Sequence, residues 1–216
     1  MRFAPMKATL LFLTAFSVLG ASAAPRQEAS APAQAQGTAA TIAQTPPIQT
    51  VPGMPPVPDA RNIYSETTPN HMGSAVKDHL ERIYVPNLRS KSVSVIDPNT
   101  MKVVDTLRVQ KSPQHVVPSW DLSTLWVANN AERSNEGSLT PIDPRTGQAG
   151  KPVPVDDPYN VYFTPDGASL IVVAEDRRRL DFRDPKTLAM QYSISTPRCG
   201  GINHGEFSID GRFALF

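Results

Sequence analysis

The chain has 216 residues, with 21 lysines and arginines against 20 aspartates and glutamates, 22 prolines and one cysteine. A net charge of +1 gives no electrostatic reason to expect nucleic acid as a partner. One cysteine excludes an internal disulfide framework and a cysteine-cluster zinc site, and the many prolines argue against a helix bundle.

The first 24 residues have the pattern of an export signal. Arg2 and Lys7 precede an apolar run over residues 8–20, and the small residues 21–24 follow it. The run is shorter than the roughly 20 residues that a membrane-spanning helix needs, so an uncleaved anchor is the less favoured alternative. We predict a signal peptide over residues 1–24, a periplasmic or secreted protein, and no membrane span after cleavage.

Residues 25–60 form a second compositional zone. They are rich in alanine, glutamine, proline and threonine, and they end in a proline-dense stretch over residues 51–58. Such a stretch buries too little apolar surface to offset the entropy of ordering. We predict a disordered linker over residues 25–60, followed by the folded domain over residues 61–216.

Residues 82–216 contain an internal repeat. A short β-branched or aromatic run begins at residues 82, 124, 169 and 212, which are 42, 45 and 43 positions apart by subtraction. Two turn signals keep the same period, namely Asp-Pro at Asp97, Asp143 and Asp184, and a hairpin aspartate at Asp121, Asp166 and Asp210. Periods of this length are typical of solenoids and propellers.

One repeat divides into four short strands. In the second repeat, strand patterns cover residues 160–164, 169–175, 179–183 and 188–194. Four antiparallel strands in about 40–45 residues are the unit of a propeller blade. We therefore predict an all-β fold, a β-propeller of four-stranded antiparallel blades, with about three blades present.

The first repeat resembles a known family. Tyr84-Val-Pro-Asn87, with residues 93–97 and 102–109, is similar to the YVTN-type β-propeller repeat, and the resemblance covers about Arg82 to Phe216. It implies a superfamily shared with cytochrome d1-type haem domains and lactonase-like propellers. Because binding proteins and enzymes both occur there, the resemblance implies the fold more than the activity.

The number of repeats is smaller than a closed ring needs. About three blades are present, whereas propellers have about 4–8. We expect the chain to be the N-terminal part of a longer, seven-bladed ring. The alternative is that two or more chains close one ring.

Candidate site residues lie six positions before each hairpin aspartate. They are His115, Asn160 and His204, and Asn203 adjoins the last of them. In propellers this position opens the innermost strand, near one mouth of the central channel, where polar side chains converge. We predict a ligand or cofactor site there. The alternative is that these residues hydrogen-bond the neighbouring blade's loop.

The sequence contains no complete catalytic constellation, so we assign no catalytic residue and no metal ligand. We predict an exported binding protein that presents a site for a protein partner or a small molecule at the channel mouth. One alternative is a d1-haem-like cofactor-binding protein or oxidoreductase with His115 and His204 as ligands. Another is a metal-dependent, lactonase-like hydrolase using Asn160, Asn203 and Glu206.

Two charged runs belong to no catalytic pattern. Arg177 to Arg179 lie in a hairpin turn and are expected to be solvated. Asp156 and Asp157 are acidic but lack the further oxygen ligands of a calcium site.

Overall fold

The computed structural model describes residues 48–216 apart from Arg133 and Asn135. The predicted signal peptide, and the predicted linker as far as residue 47, lie outside the described residues. In the described part, no helix is long and apolar enough to cross a membrane. The division of the chain at residues 24 and 60 stays a prediction.

The described residues fold into short β-strands after a single 3-10 turn at Ser74–Val76. The strands are β1 (Ile83–Asn87), β2 (Ser92–Asp97), β3 (Lys102–Arg108), β4 (Pro113–Pro118), β5 (Leu125–Asn129), β6 (Ser138–Ile142), β7 (Val153–Pro154), β8 (Pro158–Phe163), β9 (Leu170–Ala174), β10 (Arg179–Arg183), β11 (Met190–Ser195), β12 (Glu206–Phe207) and β13 (Ala214–Leu215).

The strands form four antiparallel meanders, which we call blades 1 to 4. Blade 1 is β1–β3, blade 2 is β4–β7, blade 3 is β8–β11 and blade 4 is β12–β13. The predicted four-stranded antiparallel blade is confirmed in blades 2 and 3. Strand β4 contacts both β1 and β8, so the first strands of blades 2 and 3 lie side by side on the inner side of the arc. The protein is a partial β-propeller.

The turn aspartates act as the sequence predicts. Asp97, Asp143 and Asp184 each accept the backbone N–H two residues ahead, at 2.8 to 3.0 Å. The hairpin aspartates do the same and also accept a hydroxyl hydrogen bond from a residue two positions earlier, a feature the sequence analysis missed. These hydroxyl donors are Ser119, Thr164 and Ser208.

The apolar core lies between the blades. Strand β9 is buried along its whole length, because one of its faces packs on blade 2 and the other on blade 4. Val172 belongs to the first interface, and Ile171 and Val173 belong to the second. A continuous apolar run, rather than strict alternation, is what a strand buried on both faces requires.

The end of the predicted linker lies against the blades. The backbone N–H of Val51 donates to the carbonyl of Asp166 at 2.9 Å, and that of Ile63 donates to Ile209 at 2.9 Å. Ile48 packs on the hairpin glycine Gly211. Ile48 and Val51 within the predicted linker, and Ile63 just after it, therefore contact the blades.

Blade 2 connects to blade 3 through a tight crossing. Residues 155–158 pass over Gly137, whose carbonyl accepts the N–H of Val155 at 3.0 Å. A Cβ atom at Gly137 would lie 2.6 Å from Cδ of Pro158 and 2.8 Å from the backbone nitrogen of Asp157. Because Gly137 has no side chain, residues 155–158 can pass close to its backbone, and this close approach fixes the position where β8 begins.

We expect Gly137→Ala to lower the free energy of unfolding by about 1–3 kcal/mol, because the added methyl group overpacks this crossing. The matched control is Gly73→Ala, since a Cβ atom there would meet no atom within 4 Å. Denaturant unfolding of both variants measures the difference. Equal stabilities for the two variants would contradict the tight crossing.

Candidate ligand site at the start of the innermost strands

Three aromatic rings from three successive blades meet at one end of the arc. His115 lies in β4, Tyr159 lies in β8, and His204 lies two residues before β12. The ring centroids of His115 are 5.1 Å from Tyr159 and 5.3 Å from His204, and Tyr159 is 5.8 Å from His204. We call these three residues the ring cluster.

The same backbone geometry precedes each predicted site residue. Three positions before His115, Asn160 and His204 stand Ser112, Asp157 and Gly201, with φ values of 53°, 50° and 73°. In β4 and β8 the strand register also shifts just before the site residue. A positive φ followed by a register shift redirects a side chain at a strand end, and such strain concentrates at functional sites.

His115 is held in one tautomer. Its Nδ1 lies 2.8 Å from the carbonyl oxygen of Tyr159. Because a carbonyl oxygen can only accept, Nδ1 carries the proton and the neutral ring keeps its free lone pair on Nε2. Burial lowers the pKa of His115, the bond to Tyr159 opposes this, and the charge of His204 lowers the pKa further.

His204 is exposed and is oriented by its neighbour. The side-chain oxygen of Asn203 accepts the backbone N–H of His204 at 2.9 Å, which fixes that atom as the amide oxygen. The same oxygen lies 3.3 Å from Nδ1 of His204. As in His115, Nδ1 of His204 is therefore the protonated nitrogen, and Nε2 is unprotonated and keeps its lone pair.

Asn160 does not join the ring cluster. Its buried amide donates to the hydroxyl of Tyr162 at 2.9 Å, and its oxygen accepts the N–H of Val161 at 2.8 Å. The same Tyr162 hydroxyl accepts the N–H of Gly205 at 2.9 Å. Tyr162 thus links blade 3 to the loop that carries His204, and Asn160 donates to the hydroxyl group that makes this link.

Ion pairs fix the loops behind Tyr159. Asp156 pairs with Arg177 at 3.3 Å and with Arg179 at 2.9 Å, and Arg179 also binds the fully buried Asp181 at 2.8 Å. Arg177 and Arg178 are exposed, as the sequence analysis expects of a solvated loop, and Arg179 is half-buried between Asp156 and Asp181.

Asp157 is a buried carboxyl two residues before Tyr159. Burial raises the pKa of Asp157 from 3.8 to about 6. The hydrogen bond from the backbone N–H of Arg177 lowers this pKa, and the negative charge of Asp176 raises it. Because the folded pKa is the higher one, the folded protein takes up a proton at a pH where the unfolded chain does not. The stability from this group is therefore lost as the pH rises from about 4 to about 6.

The residues considered for a lactonase-like metal site point to separate partners. Asn160 binds Tyr162, Asn203 binds its own neighbour, and Glu206 hydrogen-bonds the hydroxyl of Tyr64. Among residues 48–216 without positions 133 and 135, no three His, Cys, Asp or Glu side chains converge to hold a metal ion. The lactonase-like site stays a prediction.

Haem between the two histidines also does not fit. Two imidazoles on opposite faces of a haem need room for the macrocycle between them, whereas His115 and His204 stand edge to face at 5.3 Å with ring planes 82° apart. Haem bound through one imidazole would need no such gap.

Comparisons with known proteins show the fold. No family model matches the chain, and no curated protein matches it by sequence. A chain of hydrazine synthase from Kuenenia stuttgartiensis matches with 25% identity and a TM-score of 0.51, covering 62% of this chain and 38% of that one. The dihydro-heme d1 dehydrogenase NirN matches with 15% identity and a TM-score of 0.43, over 53% of this chain and 24% of that one.

Together the fold and the site define the class of this protein. It is a partial β-propeller in which aromatic and polar groups converge at the start of the innermost strands. The chain spans well under half the length of the solved structures that it matches. The similarity shows the fold.

Tyr159 is the site residue that sequence reasoning missed. It stands directly before Asn160, its ring contacts the rings of both histidines, and its carbonyl orients His115. A sequence signal could have identified Tyr159. The inner strands β4 and β8 both begin with a proline, at Pro113 and Pro158, and one residue separates each proline from His115 or Asn160. In β8 that residue is Tyr159.

We expect the ring of His115 to titrate with a midpoint below 6.5, because burial and the charge of His204 both disfavour the imidazolium. Replacing His204 with Gln should raise that midpoint towards 6.5. NMR titration of the histidine ring signals, assigned with His115→Gln, measures both values.

The lowered pKa of His115 also determines how the stability of the protein changes with pH. The unfolded chain takes up the proton near pH 6.5 and the folded protein takes it up only at lower pH, so stability is full above pH 6.5 and decreases below it. A His115 midpoint at or above 6.5 would contradict the arrangement of the ring cluster.

Proposed function

We propose that this chain is the ligand-binding part of an exported, non-catalytic β-propeller protein, and that the ring cluster binds a small planar molecule at the channel mouth. The observation that carries the proposal is the meeting of His115, Tyr159 and His204 from three successive blades. A protein partner that presents a flat aromatic side chain would use the same surface.

The chemistry of the rings supports a planar ligand. Imidazole and phenol rings that meet edge to face leave ring faces and edges on which another flat group can stack. His204 is exposed and His115 and Tyr159 are half-buried, so the cluster is open to solvent on the side of His204. The unprotonated Nε2 atoms of the two histidines add hydrogen-bond acceptors beside the stacking surface.

Binding fits the site better than catalysis. A histidine that acts as a general base is usually oriented by a carboxylate, which stabilises the imidazolium that forms. His115 is oriented by a neutral carbonyl, and its pKa is lowered rather than raised. His115 is therefore suited to remain neutral and to accept a hydrogen bond or coordinate.

A second candidate is haem held by His115 alone. The neutral ring with Nδ1 bound to a carbonyl is the state that an axial imidazole adopts. Haem is itself planar, so this candidate is one case of the proposal.

The test uses the full chain with 13C-labelled histidine rings, titrated with a panel of planar aromatic compounds and with haemin. We expect at least one compound to shift the ring signals of His115 and His204 together, and Tyr159→Leu to weaken its binding about tenfold or more. The matched control is Tyr192→Leu, an exposed tyrosine in β11, which lies at the opposite edge of blade 3 from β8.

The outcomes separate the candidates. A Soret band that is lost in His115→Ala and kept in His204→Ala identifies haem as the planar ligand. Compounds that bind without moving either histidine signal, or that lose as much affinity in Tyr192→Leu, would refute the proposed site. A lactone hydrolysis abolished by His115→Ala with His204→Ala would refute the non-catalytic assignment.

A further inference from the structure

We propose that Nε2 of His115 and Nε2 of His204 form a binding site for a divalent transition-metal ion that prefers imidazole, with Zn²⁺ as the probe. The proposal rests on the same ring cluster as the proposed function and names a ligand class for it. The metal would sit between blades 2 and 4, at the mouth where the planar ligand is proposed to bind.

The first support is the protonation pattern of both rings. Each imidazole gives its Nδ1–H to an oxygen that can only accept, Tyr159 O at 2.8 Å for His115 and Asn203 Oδ1 at 3.3 Å for His204. Metal-ligating histidines typically donate their second ring N–H to a carbonyl or carboxylate in this way, which fixes the tautomer and the ring orientation. Both Nε2 lone pairs are thereby left for a metal.

The second support is the distance between the rings. Two imidazoles that bind one Zn²⁺ through nitrogen at 2.0–2.1 Å and at a tetrahedral angle have ring centroids about 5 Å apart. The centroids of His115 and His204 are 5.3 Å apart, with ring planes at 82°. This spacing is compatible with two ligands of one small ion.

The rest of the coordination shell is open. The described residues supply no third His, Cys, Asp or Glu side chain at this point. Two protein ligands leave two positions of a four-coordinate shell for water or the bound molecule, one more than in zinc sites that have three protein ligands. A metal here would therefore link the protein to a ligand carrying an oxygen or nitrogen donor.

Calorimetric titration of the full chain with Zn²⁺ tests the affinity. We expect His115→Gln and His204→Gln each to weaken Zn²⁺ binding tenfold or more, and the exposed control His71→Gln to leave this site unchanged. Asn203→Ala keeps both ligands and removes the acceptor for Nδ1 of His204, so we expect a loss of about tenfold. His204 and Asn203 are exposed, so these variants test the site even if His115→Gln fails to fold.

Long-range 1H–15N spectra of the histidine rings report which nitrogens bind. We expect Zn²⁺ to shift the Nε2 signals of His115 and His204 in parallel, while both Nδ1 atoms stay protonated. Unchanged Zn²⁺ affinity in His204→Gln, a shift of only one of the two Nε2 signals, or an equal loss in His71→Gln would overturn the metal site.

The two proposals fail in different ways. If Zn²⁺ leaves both Nε2 signals unchanged while a planar compound still binds at the cluster, only the metal site is refuted. If Zn²⁺ binds both histidines and no planar compound does, the metal site stands and the planar ligand is refuted.

Discussion

The packing of one blade on the next is the interaction on which the rest of the structure depends. A four-stranded blade cannot bury both of its faces alone, and each face becomes part of a core only when a neighbour covers it. Strand β9 shows this most clearly, because Val172 packs towards blade 2 while Ile171 and Val173 pack towards blade 4. Removing one interface would expose a whole apolar face.

The ring cluster is a product of the same packing. Its three rings lie 44 and 45 residues apart along the chain, by subtraction of the residue numbers, and no two of them belong to one blade. They meet because the inner strands of stacked blades converge, and because the crossing over Gly137 and the ion pairs of Asp156 hold the start of β8. A ligand at this mouth would contact three blades at once and would therefore report on how they stack.

The sequence predicts the fold well because turn chemistry and strand patterns are local. The period of the Asp-Pro turns places the blades, and β10 spans the predicted residues 179–183. The sequence also places His115 and His204 at equivalent positions. What it could not predict depends on partners far along the chain, namely the tautomer of His115, which Tyr159 sets, and the bond from Gly205 to the Tyr162 hydroxyl beside Asn160.

The central claim is that successive blades bring the rings of His115 and His204 into direct contact. A nuclear Overhauser spectrum of the histidine-labelled protein tests it most directly, because ring centroids 5.3 Å apart place ring protons close enough for transfer. The account predicts a cross-peak between the His115 and His204 ring protons. Assigned signals for both rings with no cross-peak between them would contradict it.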